Sequence, residues 1–257
     1  MGGNAMSRYI SLVKQDTLHL FLNPMWIFFS CLYPFLLTVI LGMLNSGGYS
    51  GGVSAYDYYG LTMILYAALN TSMTAANSFM EERIKAGNMR ILYAPVSTSA
   101  IYLSKVFAAF FFSFFWLLVT MFLMILVLDV NFGNYQQGIH QLIHVLLLLA
   151  GLQLFSSISG VMMCCLFRQE SLANQVLSIV ITAFTLLGGG FFRLSGFGAT
   201  IMSIGQLSPY HWILAALYRI IYHQDLTGVF FIHVTIFFSS LFCLSLCRKW
   251  FRKEDYV

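Results

Sequence analysis

Charged residues are so sparse along this chain that six uncharged stretches stand out: Thr17 to Tyr56, Tyr58 to Met80, Val106 to Leu128, Val130 to Phe167, Ser171 to Phe192 and Leu226 to Cys247. A helix needs roughly 20 apolar residues to cross a bilayer. Each stretch can hold one crossing. The first and fourth are longer, and each is punctuated by turn formers, Asn45-Ser46-Gly47-Gly48 with Gly51-Gly52 and Asn131-Phe132-Gly133-Asn134 with Gly138. Trimmed there, the predicted spans are 24–44, 58–80, 106–128, 142–166, 172–192 and 227–247. Barrel strands alternate lipid-facing and lumen-facing residues, whereas Phe110-Phe111-Phe112 and Leu146-Leu147-Leu148-Leu149 do not. Backbone groups in lipid must bond within their own segment. The pattern therefore predicts an all-α membrane protein with six transmembrane helices, read as a single transmembrane domain over 1–257.

Composition strengthens this: 59% of the 257 residues are hydrophobic and 9% are charged, against about 25% charged in soluble domains. Orientation follows from the thirteen basic residues. Arg8, Lys14, Arg83, Lys85, Arg90, Lys105, Arg168, Arg248, Lys249, Arg252 and Lys253 fall on one side of the predicted spans, and Arg193 and Arg219 on the other. Both termini are expected in the cytoplasm. The N-terminus lacks the order of a cleaved signal peptide. The five cysteines, Cys31, Cys164, Cys165, Cys243 and Cys247, lie within spans or at their cytoplasmic ends, which argues against a disulfide framework.

Residues 7–22 are expected to form a helix in the cytoplasmic interface, with Ile10, Val13, Thr17, Leu20 and Phe21 on its apolar side. Asn23-Pro24 breaks it, and Pro34 is placed to kink the first span. Two further regions fit neither plain spans nor plain loops. The first is the charged segment Met80 to Ser97, in which Gly87, Asn88 and Pro95 can bound a short amphipathic helix, 83–93, that presents Met89, Ile91, Leu92 and Tyr93 beside Arg83, Lys85 and Arg90. Such a surface suits docking in another protein's groove; the alternative is a positive-inside loop on lipid headgroups. The second is the apolar external segment from Gly188-Gly189-Gly190 to Asp225. Its glycines and Pro209 predict short re-entrant helices over 197–222, about 197–206 and 209–222, broken at Leu207-Ser208-Pro209.

These two regions, in this order and on these sides, resemble the permease subunits of the type-2 ATP-binding-cassette (ABC) transporters. Glu81, Glu82, Arg83, Lys85, Gly87, Leu92, Pro95-Val96-Ser97 and Lys105 are similar to the family's loose pattern around its coupling helix, and Ser208-Pro209-Tyr210-His211-Trp212 to its external Pro-aromatic break. Asn88-Met89-Arg90 departs from the Thr-Leu-Glu of many relatives. The resemblance implies that Glu81, Glu82, Arg83, Gly87, Asn88, Met89, Arg90, Ile91, Leu92 and Tyr93 contact an ATPase. It further implies an exporter of drugs, antibiotic peptides, lipids or similar amphipathic cargo, working beside a second permease, identical or paralogous, and two ATPase subunits. No G-x-x-x-x-G-K-[ST] stretch occurs here, so ATP and Mg are expected on the partner, with no cofactor, metal or catalytic residue on this chain. Membrane lipid is the other expected partner, nucleic acid is not, and a bacterial plasma membrane is the natural setting for a split permease.

Polar stripes mark a candidate translocation path: Asn70, Thr74 and Asn77 in the second span, and Ser178, Thr182 and Thr185 in the fifth, each at i, i+4, i+7. The alternative is that these side chains bond their own backbone or join helices. His140 and His144 lie one turn apart without an apparent third metal ligand. An intramembrane protease is disfavoured because Ala86 stands where the Glu-Glu-x-x-x-Arg pattern needs Arg. An ion-coupled secondary transporter is disfavoured because the spans carry no carboxylate or lysine. A non-catalytic sensor or immunity protein remains open.

Overall fold

The computed structural model describes residues 2–48, 53–80, 97–133 and 139–252, and every regular element among them is helical. Helix ends follow local chemistry. α1 (Gly2–Phe21) stops before Asn23, whose side chain accepts the Met25 N–H at 3.1 Å while Pro24 occupies the first turn of α2 (Pro24–Leu44). Proline costs nothing there, because the N–H it lacks would have had no helical partner. Inside α2 a π turn, Phe28–Leu32, sits just before Pro34, with the Tyr33 N–H reaching back to the Phe28 carbonyl. The wider turn accommodates the backbone that the proline ring disrupts.

α3 (Ala55–Met80) opens with a reciprocal cap: the Ser54 N–H donates to Asp57 Oδ2 at 2.9 Å, and the Asp57 N–H to Ser54 Oγ at 3.0 Å. The other Asp57 oxygen accepts the Asn131 N–H at 2.7 Å, tying the start of α3 to the loop between α4 (Thr98–Leu128) and α5 (Ile139–Phe167). Ser97 caps α4, so that helix begins well before the predicted span at Val106, and Asp129 ends it in a left-handed conformation. α6 (Glu170–Leu187) ends at Gly188 rather than at Phe192, because Gly189 takes a φ of +86° and the Gly190 N–H returns to the Thr185 carbonyl. The segment between α6 and the last helix holds α7 (Ala199–Gly205) and α8 (Pro209–Tyr218), the latter running into a π turn, Arg219–His223. α9 (Val229–Trp250) completes the order.

Among the described residues five helices, α2, α4, α5, α6 and α9, are long and apolar enough to cross a membrane. Phenylalanines exposed along them, such as Phe111, Phe122, Phe230 and Phe238, suit contact with lipid chains. The chain is a multi-pass membrane protein. α3, the helix over the predicted second span, is less apolar because it is the centre of the bundle: 19 of its 26 residues are buried, against α2, α4, α5 and α6. Its tightest packing is on α5, where a Cβ added to Gly160 would run into the Ser72 carbonyl oxygen. Small residues let the two backbones meet there, as in other membrane helix pairs.

α1 packs along α4. Phe21 meets Phe112 edge to face at 5.1 Å, within a small cluster that includes Leu20, Ala108 and Trp116. The buried side of α1 is centred on Asp16 and Leu20, while Ile10, assigned to the apolar side from sequence, is exposed.

Candidate functional site

Two apolar clusters divide the bundle along its length, and a polar layer lies between them. On α3 one cluster reaches Ala68 and the other starts at Ala75, with Asn70, Thr71, Ser72 and Thr74 in the gap. On α4 the gap between Ala109 and Leu117 holds Ser113, and on α5 the gap between Leu152 and Ile158 holds Gln153, Ser156 and Ser157. Each set falls near the midpoint of its helix, where polar side chains are most expensive in lipid and are expected to face the bundle interior.

A cavity of about 350 Å³ opens in this layer. Trp26, Phe29 and Tyr33 of α2 and Tyr66 of α3 form its aromatic side. Its polar side is made by Asn70, Thr71 and Thr74 of α3, Ser113 of α4, Gln153 of α5 and Ser178 of α6. Three of these, Thr71 (1% exposed), Gln153 (1%) and Ser113 (4%), have a buried oxygen without a hydrogen-bond partner among the described residues. Buried hydroxyls and amides are nearly always satisfied, so three in one wall call for an explanation.

The predicted path residues divide. Asn70, Thr74 and Ser178 come together at the cavity. Asn77 lies on the same stripe but beyond the cavity; its amide donates to the Met73 carbonyl at 2.7 Å and its oxygen accepts the Asn174 amide of α6 at 2.7 Å, a bond that joins two helices. Asn70 likewise donates to the Tyr66 carbonyl at 2.9 Å. On α6, Thr182 is exposed, and Thr185 is buried beneath the glycine turn.

The predicted break at Leu207-Ser208-Pro209 is a packed joint. Ser208 Oγ donates to the Phe184 carbonyl at 2.8 Å, at the end of α6. Pro209 starts α8, and the Tyr210 hydroxyl, wholly enclosed, donates to the Thr62 carbonyl of α3 at 2.6 Å. The Tyr210 ring lies so close to Gly188 that a Cβ there would meet it at 2.7 Å, which accounts for one glycine of the triplet. Tyr58 Oη donates to the Gly189 carbonyl at 2.5 Å, and the exposed Trp212 indole to the Gln206 carbonyl at 2.8 Å.

The predicted ATPase-coupling residues, Glu81, Glu82, Arg83, Gly87, Asn88, Met89, Arg90, Ile91, Leu92 and Tyr93, lie outside the described residues. In the first turns of α4, Lys105 Nζ donates to Asp16 Oδ1 at 2.7 Å and Ser104 Oγ to Asp16 Oδ2 at 3.0 Å, with both charged side chains almost fully buried. This pair fastens α1 to the first turns of α4.

Sequence reasoning missed Asp16, Ser113 and Gln153. The signal for Gln153 was present: a single amide within the apolar run from Val145 to Phe155 of α5, close to the helix midpoint. Asp16 lies 89 residues from Lys105, and no local pattern relates them.

Among the described residues no group of three or more His, Cys, Asp or Glu is placed to hold a metal ion, and the five cysteines are free. No curated protein matches the chain. The family model of the ABC-2 type transporters matches residues 7–222, from α1 through the π turn that follows α8. With that match across most of its length, the chain belongs to the ABC-2 type transporter family, as a transmembrane permease component.

Proposed function

We propose that this chain is the membrane subunit of an ATP-driven exporter, acting with a second permease, identical or paralogous, and two copies of a separate ABC ATPase that binds ATP and Mg. α3 counts as the sixth crossing, both termini are cytoplasmic, α1 lies in the interface, and α7 and α8 dip back from the outside. The membrane is a bacterial plasma membrane, and the cargo is a drug, antibiotic peptide, lipid or similar amphipathic molecule.

One observation carries the reading. The segment assigned to the ATPase lies in sequence between Met80 of α3 and Thr98 of α4, so it joins the two helices that supply Asn70, Thr71, Thr74 and Ser113 to the cavity. A force applied there moves both walls together. ATP acts only through its different affinity for the two arrangements, and the junction supplies a route for that difference. The buried Asp16–Lys105 pair extends the same unit to α1.

The test is ATP-dependent uptake of fluorescent amphipathic compounds into inverted vesicles that contain this chain and its ATPase. Charge reversal at Glu81, Glu82 or Arg90, or Leu92→Pro, is expected to lower uptake about tenfold, equivalent to about 1.4 kcal/mol of coupling, at unchanged membrane levels. Undiminished uptake by all four variants removes the assignment.

A further inference from the structure

We propose that the mid-bundle cavity is a binding site for an uncharged amphipathic molecule, and that Gln153, with Thr71 and Ser113, recognises its polar group. The inference rests on the transporter reading and narrows the class of cargo that reading admits. Its observation is the coincidence of a cavity of about 350 Å³, within the size range of small-molecule sites, with three residues on its wall, Thr71, Ser113 and Gln153, whose buried side-chain oxygens have no partner among the described residues. A hydroxyl or amide enclosed in this way loses its water without compensation unless an occupant bonds to it.

The lining also says what the occupant is. Among the described residues no Asp, Glu, Lys, Arg or His faces the cavity. A bound ion would give up its hydration and find no counter-charge. The rings of Trp26, Phe29, Tyr33 and Tyr66 would attract a cation weakly, which falls short of the cost of stripping an ion of water. They do fit a flat apolar body. Opposite them, Gln153 can both accept and donate, and Thr71 and Ser113 do the same through hydroxyls that rotate. The matching ligand has an aromatic or aliphatic body and a neutral hydroxyl, amine or amide.

The probe pair that isolates charge is N-phenyl-1-naphthylamine and its 8-sulfonate, which share a skeleton. They are titrated by fluorescence against the full chain in lipid nanodiscs, with empty nanodiscs subtracted. The neutral amine is expected to show one saturable site per chain. Neither the sulfonate nor the lipophilic cation tetraphenylphosphonium should displace it. Gln153→Leu, which keeps the side-chain volume, is expected to weaken binding about fivefold to tenfold, the worth of one hydrogen bond, without lowering the unfolding temperature. Ser113→Ala gives an independent second variant and should also weaken binding. Thr185→Val removes a buried hydroxyl outside the cavity that has no partner among the described residues, and should leave binding unchanged. No saturable signal above empty nanodiscs, equal binding of the sulfonate, or wild-type affinity in both cavity variants would overturn the proposal. The titration needs no ATPase, so such a failure leaves the permease reading to be judged by the uptake assay.

Discussion

At the scale of single residues, the bundle is governed by a few atoms that have nowhere else to go. Asp16 and Lys105 are each almost fully enclosed, so removing one partner strands a charge. Asp16→Asn or Lys105→Met is expected to cost about 3–5 kcal/mol, whereas the double replacement Asp16→Leu with Lys105→Met should recover most of it. Thermal unfolding in detergent, read for the two single variants and the double, checks this. Gly160 is the second such point. Its α-hydrogens face the Ser72 carbonyl, so Gly160→Val must push α5 off α3 at a cost of about 1–3 kcal/mol, visible in the same unfolding assay. Local chemistry made some of these residues legible in the sequence and hid others. Asn23-Pro24 and the glycine triplet Gly188 to Gly190 act on their immediate neighbours, and the helix ends beside them follow. Asp16 acts on a residue 89 positions away, and before the fold is known it reads as one more polar residue on a surface helix.

At the scale of elements, α3 carries most of the argument. Its polar residues are tolerated because other helices surround it, and the same residues lower its hydropathy below that of the five helices exposed to lipid. Hydropathy measures lipid contact, so a central helix is the one it renders least clearly. The predicted stripe Asn70, Thr74, Asn77 was visible as a periodic pattern, but one helix alone cannot show which members meet a cavity and which meet a partner side chain. The structure separates them, with Asn70 and Thr74 at the cavity and Asn77 bonded to Asn174. A double-mutant cycle of Asn77→Ala and Asn174→Ala is expected to give a coupling of about 0.6 kcal/mol, typical of hydrogen bonds between membrane helices. Additive effects would mean that the two amides do not support each other. The outer joint is a similar case: Tyr210→Phe deletes the bond to the Thr62 carbonyl and is expected to destabilise the bundle by about 1 kcal/mol, measured by unfolding in detergent.

At the scale of the whole molecule, the proposed function makes the bundle a transducer. A cavity at mid-bundle is walled by two helices whose connecting segment carries the chain's docking candidates, and α1 is fastened beside it by a buried ion pair. The order of apolar stretches was legible as a series of helices, because bilayer thickness acts on sequence directly. The cavity was beyond reach of that reading, since it is assembled from five helices and depends on how they pack. The central claim, that an external ATPase drives this bundle through residues 81–93, is tested most directly by co-expressing the chain with any ABC ATPase whose gene adjoins its own, purifying the two and measuring ATP hydrolysis in nanodiscs. The account predicts a stable complex whose hydrolysis rate differs from that of the free ATPase, and loss of both effects when Glu82→Lys and Arg90→Glu are combined. A double variant that still binds and regulates the ATPase as the unaltered chain does would contradict it.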